Sequence, residues 1–246
     1  MTTSKTPARL RLAPAALLLA LVVVLAVVAA AVGFRLELWG YGSAVRILRY
    51  AVYGGIVTAL LAVTAMALTW PGRGRRFAVA LLALLLVSPA LLVPLYWNYS
   101  KSRLPPIQDI ATDPDDPLSF WDVPTTRIDY PGGEVAEQQR AAFPDIRPLV
   151  LRAPLPEVYR SAVELVRERG WKLVAADAEE GRIEATVTTF WFGFKDDVAV
   201  GLTPVDGGVR VDMRSASRYG GGGDGGANAN RIRSFLRDLQ RATGGS

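Results

Sequence analysis

Three stretches near the start of the chain, residues 12–34, 50–72 and 77–100, run without a single charged side chain and are dominated by Leu, Val and Ala. Each exceeds the roughly 20 apolar residues that cross the hydrocarbon core of a bilayer. An amphipathic helix of a soluble domain would show polar positions at helical spacing, and "ALLLALVVVLAVVAAAV" shows none. The pattern predicts three transmembrane helices. Pro89 and Pro94 should bend the third, with Ser88 placed to satisfy a freed carbonyl, and "LYWNY" at its end reads as an interfacial aromatic belt. In the second, Ala51, Gly55 and Ala59 recur every four residues, a spacing that lets backbones approach closely. Packing within the three-helix bundle is the simpler reading of that stripe; a dimer face is the alternative.

After residue 100 the pattern changes twice. Prolines at 105, 106, 114, 117, 124 and 131 break up any long helix or central strand, so residues 101–146 are expected as an extended, proline-rich connector without a core of its own. From residue 147 the periodicity becomes that of a folded domain. Leu155, Val158, Tyr159, Ala162 and Val166 form one helical stripe, with Pro156 in the first turn and Gly170 at the end. Residues 171–176 and 182–189 alternate as strands. Ile183, Ala185 and Val187 share one face of the second, and Arg182, Glu184, Thr186 and Thr188 the other. Val198, Val200 and Leu202 define a third strand. Val209, Val211 and Met213 define a fourth, whose opposite face carries Arg210, Asp212 and Arg214. Ile232, Phe235, Leu236 and Leu239 mark a closing helix, and residues 149–151 add a first short strand.

The resulting order is β-α-β-β-β-β-α. The fold class expected is membrane-anchored α+β: three transmembrane helices, then a two-layer domain of antiparallel sheet plus helices. The divisions are a tail at 1–11, a membrane region at 12–100, a connector at 101–146 and the sandwich at 147–246. The charged faces of the strands read as outward cross-strand ion pairs.

Charge sharpens the membrane reading. The formal net charge is +5, but much of the excess flanks the apolar runs, as Arg9, Arg11, Arg46, Arg49, Arg73, Arg75 and Arg76 do. Beyond residue 101 the signs are mixed, with no one-faced basic stripe of the kind nucleic acid requires. The dense, short "PGRGRR" loop places the N-terminus and that loop in the cytoplasm by the positive-inside rule. The domain after residue 100 then lies outside, periplasmic in a bacterial inner membrane. A cleaved signal peptide would also explain the basic start and the small residues at 29–31, but the first apolar run outlasts the usual 7–15 residues of a signal, which argues for a retained helix.

Neither cysteine nor histidine occurs. Thiolate chemistry, cysteine metal sites and a Ser-His-Asp triad are therefore excluded, and the commonest general base is missing. No cofactor and no metal site is expected. The aspartates 113, 115 and 116 lack the glycine and distal glutamate of a calcium loop and read as a solvated turn.

One stretch concentrates candidate binding chemistry: "TTFWFGFKDDVAV", with Trp191, Phe192 and Phe194 around Gly193, followed by Lys195, Asp196 and Asp197. Alternation keeps the three rings from sharing one core and sends Asp196 and Asp197 to opposite faces. Two readings stand. Either the rings cap the core beside an edge ion pair, or Trp191 and Lys195 form a lip over an apolar cleft that holds an acidic headgroup or partner. A second candidate group lies where the closing helix begins. Asp224 or Asn228 should cap it, and Arg231 would help that N-terminus hold an anion.

Five separated segments, "PPIQDIATD", "FPDI", "GRIEATVTTFWFGFKDDVAV", "RVDMRSASR" and "GANANRIRSFL", resemble in order the domain-of-unknown-function family DUF1499, from about residue 105 to 239. Members with membrane helices at the front are similar to alphaproteobacterial proteins. The resemblance implies domain limits and a bacterial envelope setting, and it supplies no catalytic residues. Gln108 stands where the family commonly has histidine. The loop usually similar to "GRSDLG" is here "GGGGDGG", which keeps Asp224 and Gly226.

Taken together, the expected role is a binding or scaffolding module held at the outer face of the membrane. Its partners would be the bilayer and a membrane protein or lipid, not nucleic acid. An envelope hydrolase using Lys195, Asp196 and Asp197 is the competing reading, weakened by the missing histidine and cysteine. A transporter is disfavoured by spans free of charge.

Overall fold

The computed structural model of the protein describes residues 11–70, 74–220 and 222–244. Residues 1–10 of the expected tail, Arg73 of the charged loop and Gly221 of the glycine loop lie outside the described residues. The described chain divides into two units.

The first unit holds three helices long and apolar enough to cross a membrane: α1 (Leu12–Arg35), α2 (Tyr41–Thr69) and α3 (Arg75–Lys101). Helix α2 starts nine residues earlier than its apolar run, so Arg46 and Arg49 lie within its first turns. Ala51, Gly55, Thr58, Ala62 and Ala65 of α2 are buried inside the bundle, which assigns the small-residue stripe to packing among these helices. Pro89 and Pro94 sit inside α3. Proline cannot donate to the carbonyl four residues back. Ser88 Oγ donates to Leu85 O at 2.9 Å and so satisfies the carbonyl that Pro89 leaves free.

The second unit is an α+β domain. Its strands are β1 (Asp109–Ala111), β2 (Leu149–Leu151), β3 (Lys172–Asp177), β4 (Arg182–Thr188), β5 (Lys195–Val205) and β6 (Gly208–Ser217). They form one antiparallel sheet in the order β1-β6-β5-β4-β3, and β2 pairs with β6 beyond β1. Helices α5 (Leu155–Glu168) and α6 (Ala227–Ala242) cover one face. The alternation of Ile183, Ala185, Val198, Val200, Val209, Val211 and Met213 turns apolar side chains toward Val158, Ala162 and Val166 of α5 and toward Ile232, Phe235 and Leu239 of α6. Trp171 stacks on Phe235 with ring centroids 5.5 Å apart.

The opposite face departs from expectation. The proline-rich segment 101–146 is not a coreless connector. It supplies β1 and the helix α4 (Gly133–Ala142), and its residues 113–130 lie as a strap across the charged side of the sheet. Phe120 and Val123 of the strap are buried against Ala199 and Ala216. Leu118 comes so close to Gly201 that an added Cβ would stand 2.8 Å from it, which explains a glycine in mid-strand. Glu184 and Arg214, expected to face solvent, are wholly buried. A charged face can be covered only if its charges are paired and hydrogen-bonded, and here they are. Both Glu184 oxygens accept backbone N–H groups of the strap, from Trp121 and Asp122 at 2.8 Å and from Val123 at 3.0 Å. Arg214 is held by Asp109 and by the carbonyls of Leu118 and Ile128. Burial pushes the Asp109 carboxyl above its ordinary value, against the pull of Arg214.

Candidate functional site

The antiparallel register gathers the predicted residues at one end of the sheet. Thr188 pairs with Lys195, Asp196 with Ser217, and Asp109 with Ala216, while Ser217 N donates to Gln108 O. The β4–β5 hairpin, the loop after β6, the entry to β1 and the start of α6 therefore lie side by side.

The hairpin is closed by Thr189. Its N–H donates to Phe194 O at 2.8 Å, and its Oγ1 accepts from Phe194 N at 2.9 Å. Gly193 adopts φ +71°, a conformation that L side chains rarely take, so the turn expected there is present. The rings divide. Phe194 is half-buried beside Tyr219, with centroids 6.4 Å apart, and Phe192 is also half-buried. Trp191 is 77% exposed and its neighbour Phe190 is 81% exposed. The reading in which Trp191 caps the core is thereby overturned: its ring is exposed, in the loop beyond the last pair of the ladder.

Asp196 and Asp197 point to opposite faces, as alternation requires, and neither is open. On the helix face, Arg231 Nη2 donates to Asp196 Oδ2 at 2.5 Å. The other end of the same guanidinium donates to Ser215 Oγ at 2.8 Å and to Asn228 Oδ1. Asn228 donates in turn to Gln108 O and Ser217 Oγ, both at 3.0 Å. On the strap face, Asp197 accepts from Thr186 Oγ1 at 3.1 Å and from the Arg218 guanidinium. That hydrogen bond holds Arg218 more firmly protonated than an ordinary arginine.

Asp224 resolves the capping question. Its two oxygens accept from Gly226 N at 2.8 Å and from Asn228 N at 2.6 Å, so it satisfies the first turn of α6 from just outside the helix. Asn228, buried within the helix, instead ties α6 to β6 and to the entry of β1. The anion expected at this helix N-terminus is the domain's own Asp224 carboxylate, and Arg231 is engaged by Asp196.

Lys195 is different. It is half-buried and makes no ion pair among the described residues. This end of the sheet thus carries one ammonium without an ion pair among the described residues, near two exposed rings. A surface hollow of about 640 Å³ lies along one helix, lined by Tyr159, Arg160, Val163, Glu164, Arg167 and Glu168 of α5.

Several residues that shape this region were not legible as candidates. Phe190 belongs to the same aromatic stretch, and only the position of the loop marks it as outward. Asp109, Glu184, Arg214 and Arg218 acquire their roles from the strap and the loop after β6. Their sequence signal, an arginine or carboxylate on the polar side of a strand, is also what an ordinary solvent face presents.

The sequence model of one protein family, described as a protein of unknown function (DUF1499), matches residues 109–239, more than half of the chain. The match opens at the first residue of β1, so it takes in the strap as well as the sheet and helices. No curated protein matches the chain.

Proposed function

We propose, from the premise that the chain belongs to the DUF1499 family of proteins of unknown function, that it is a membrane-anchored binding or scaffolding module. The α+β domain is carried at the outer face of a bacterial inner membrane, and the β4–β5 hairpin is its contact element. The observation that carries this reading is the contrast at the end of the sheet. Asp196, Asp197, Asn228, Asp224 and Arg231 are committed to one another or to the fold, whereas Phe190 and Trp191 are exposed and Lys195 has no ion pair among the described residues. Large exposed rings next to a lone ammonium suit an apolar surface edged with negative charge.

The geometry gives the hydrolase reading no support. Paired carboxylates divide acid and base work when they flank one substrate. Asp196 and Asp197 lie on opposite faces of β5, each in an ion pair.

The test is co-purification from membranes in mild detergent, comparing the parent with Trp191→Ala and with Lys195→Ala. A membrane protein or lipid retained by the parent in stoichiometric amount and lost from both folded variants supports the reading. Equal retention by all three removes the hairpin from the binding surface. Placement is tested separately by fusing a reporter active only outside the cytoplasm. It should be active after Ser246 and silent after Pro71, and the reverse pattern puts the domain in the cytoplasm.

A further inference from the structure

We infer that the hairpin's occupant is the bilayer itself: Phe190 and Trp191 seat in the headgroup–acyl boundary of the membrane that holds the chain's apolar helices, and Lys195 meets anionic headgroups beside them. This deepens the binding-module reading and rests on its membrane anchoring.

Three observations point to a lipid surface. The first is covalent. Helix α3 ends at Lys101 and β1 begins at Asp109, a connection of eight Cα-to-Cα steps that spans at most about 28 Å. Asp109 pairs with Ala216, and Ala216 with Asp197, so the start of β1 and the start of β5 are two strand spacings apart, about 10 Å. The hairpin therefore projects from the end of the sheet by which the domain is tethered. Val205 ends β5 ten residues further on, about 33 Å away at the opposite end.

The second observation is chemical. Phe190 and Trp191 are consecutive residues of a loop, and both are more than three-quarters exposed. Tryptophan is the side chain most suited to the membrane–water boundary, with an apolar body and one N–H for water or headgroup oxygens. The third is electrostatic. Arg231 and Arg218 neutralise Asp196 and Asp197, while Lys195, half-buried beside them, makes no ion pair among the described residues and leaves positive charge at this end. A lysine near an anionic leaflet is drawn to its headgroups. A protein partner would also accept exposed rings, but the tether favours the membrane surface.

The absence of cysteine makes the test direct, because a single introduced thiol is the only one that reacts with a label. Full-length Phe190→Cys and Trp191→Cys variants would carry a nitroxide in vesicles of phosphatidylethanolamine with phosphatidylglycerol. Val150→Cys in β2 and Leu85→Cys in α3 serve as the aqueous and the membrane references. Collision with oxygen and with a water-soluble nickel complex reports depth. Labels at 190 and 191 should be several-fold better protected from nickel than the label at 150. That protection should fall in the Lys195→Ala background, or when phosphatidylcholine replaces phosphatidylglycerol. Nickel access at 190 and 191 equal to that at 150 overturns the inference while leaving a binding module possible. Spin–spin broadening at 190 assigns the tip to a second copy and also overturns it. Nickel access at 85 shows that the apolar helices are not inserted, which defeats the anchoring reading together with this one.

Discussion

Arg214 and Asp109 form a two-pronged ion pair in the interior, with Nε to Oδ1 at 2.9 Å and Nη2 to Oδ2 at 2.8 Å. The arginine is fully buried, and its guanidinium lies 4.4 Å from the centroid of the Phe120 ring. One side chain of β6 thus binds the entry strand, a ring of the strap and three strap carbonyls, those of Leu118, Arg127 and Ile128. It converts a proline-rich segment into a layer of the domain.

Removing one partner strands the other charge in a dry site. Arg214→Ala should cost about 3–5 kcal/mol, read as a lowered melting temperature in detergent and faster proteolysis within residues 113–130. Arg214→Met combined with Asp109→Leu should recover much of that loss, because no unpaired charge is left behind. A double variant as unstable as the single one would mean that the pair is not the origin of the effect.

Glu184 makes a second anchor for the strap. Glu184→Ala removes the acceptor of three backbone N–H groups and should cost about 1–3 kcal/mol. Hydrogen exchange should accelerate first at Trp121, Asp122 and Val123. Unchanged exchange at those amides would show that the strap is held elsewhere.

The start and the middle of α6 separate capping from packing. Asp224→Ala should destabilise by about 0.5–2 kcal/mol, the usual cost of a lost cap. Phe235→Ala should cost about 3–5 kcal/mol as a buried ring deletion. Trp191→Ala, by contrast, should stay within about 0.5 kcal/mol of the parent, since its ring is exposed. Global unfolding by Trp191→Ala would restore that ring to the core.

Acid should loosen the strap. Hydrogen bonds from Arg210 hold Asp113 below its ordinary value of 3.8, and Arg233 does the same for Asp145. A depressed folded-state value stabilises above the unfolded value, and that contribution is lost as pH falls through the folded one. Asp109 acts in the opposite sense: its raised value favours the fold in acid, and this contribution declines as pH rises through it. Melting temperature followed from pH about 5 down to about 2 should drop, and Asp113→Asn should flatten part of the drop. An identical slope in Asp113→Asn would exclude that pair as a source.

Much of the architecture is written locally. The spacing of Val158, Ala162 and Val166 determines which side of α5 is buried, and the alternation of Val209, Val211 and Met213 determines which side of β6 meets the helices. Ser88 before Pro89 announces how α3 keeps its hydrogen bonding. The opposite faces of Asp196 and Asp197 follow from the pleat alone.

What the tertiary structure decided is the fate of polar residues. Periodicity says that Glu184 and Arg214 share a polar face, but it cannot say whether water or protein covers that face. The cover here is a segment whose prolines leave it no periodicity to read, and its partners lie 61 to 105 residues away. Helix α4 and strand β1 were missed for the same reason: β1 is three residues long and exists only as the neighbour of β6. The hairpin is the mirror case. Trp191 and Phe190 look like core residues by composition, and only their place beyond the last rung of the β4–β5 ladder turns them outward. Burial of an apolar side chain is driven by a short-range pattern that its own element carries. Burial of a charge requires a partner and donors brought from distant parts of the chain, and no local pattern specifies them.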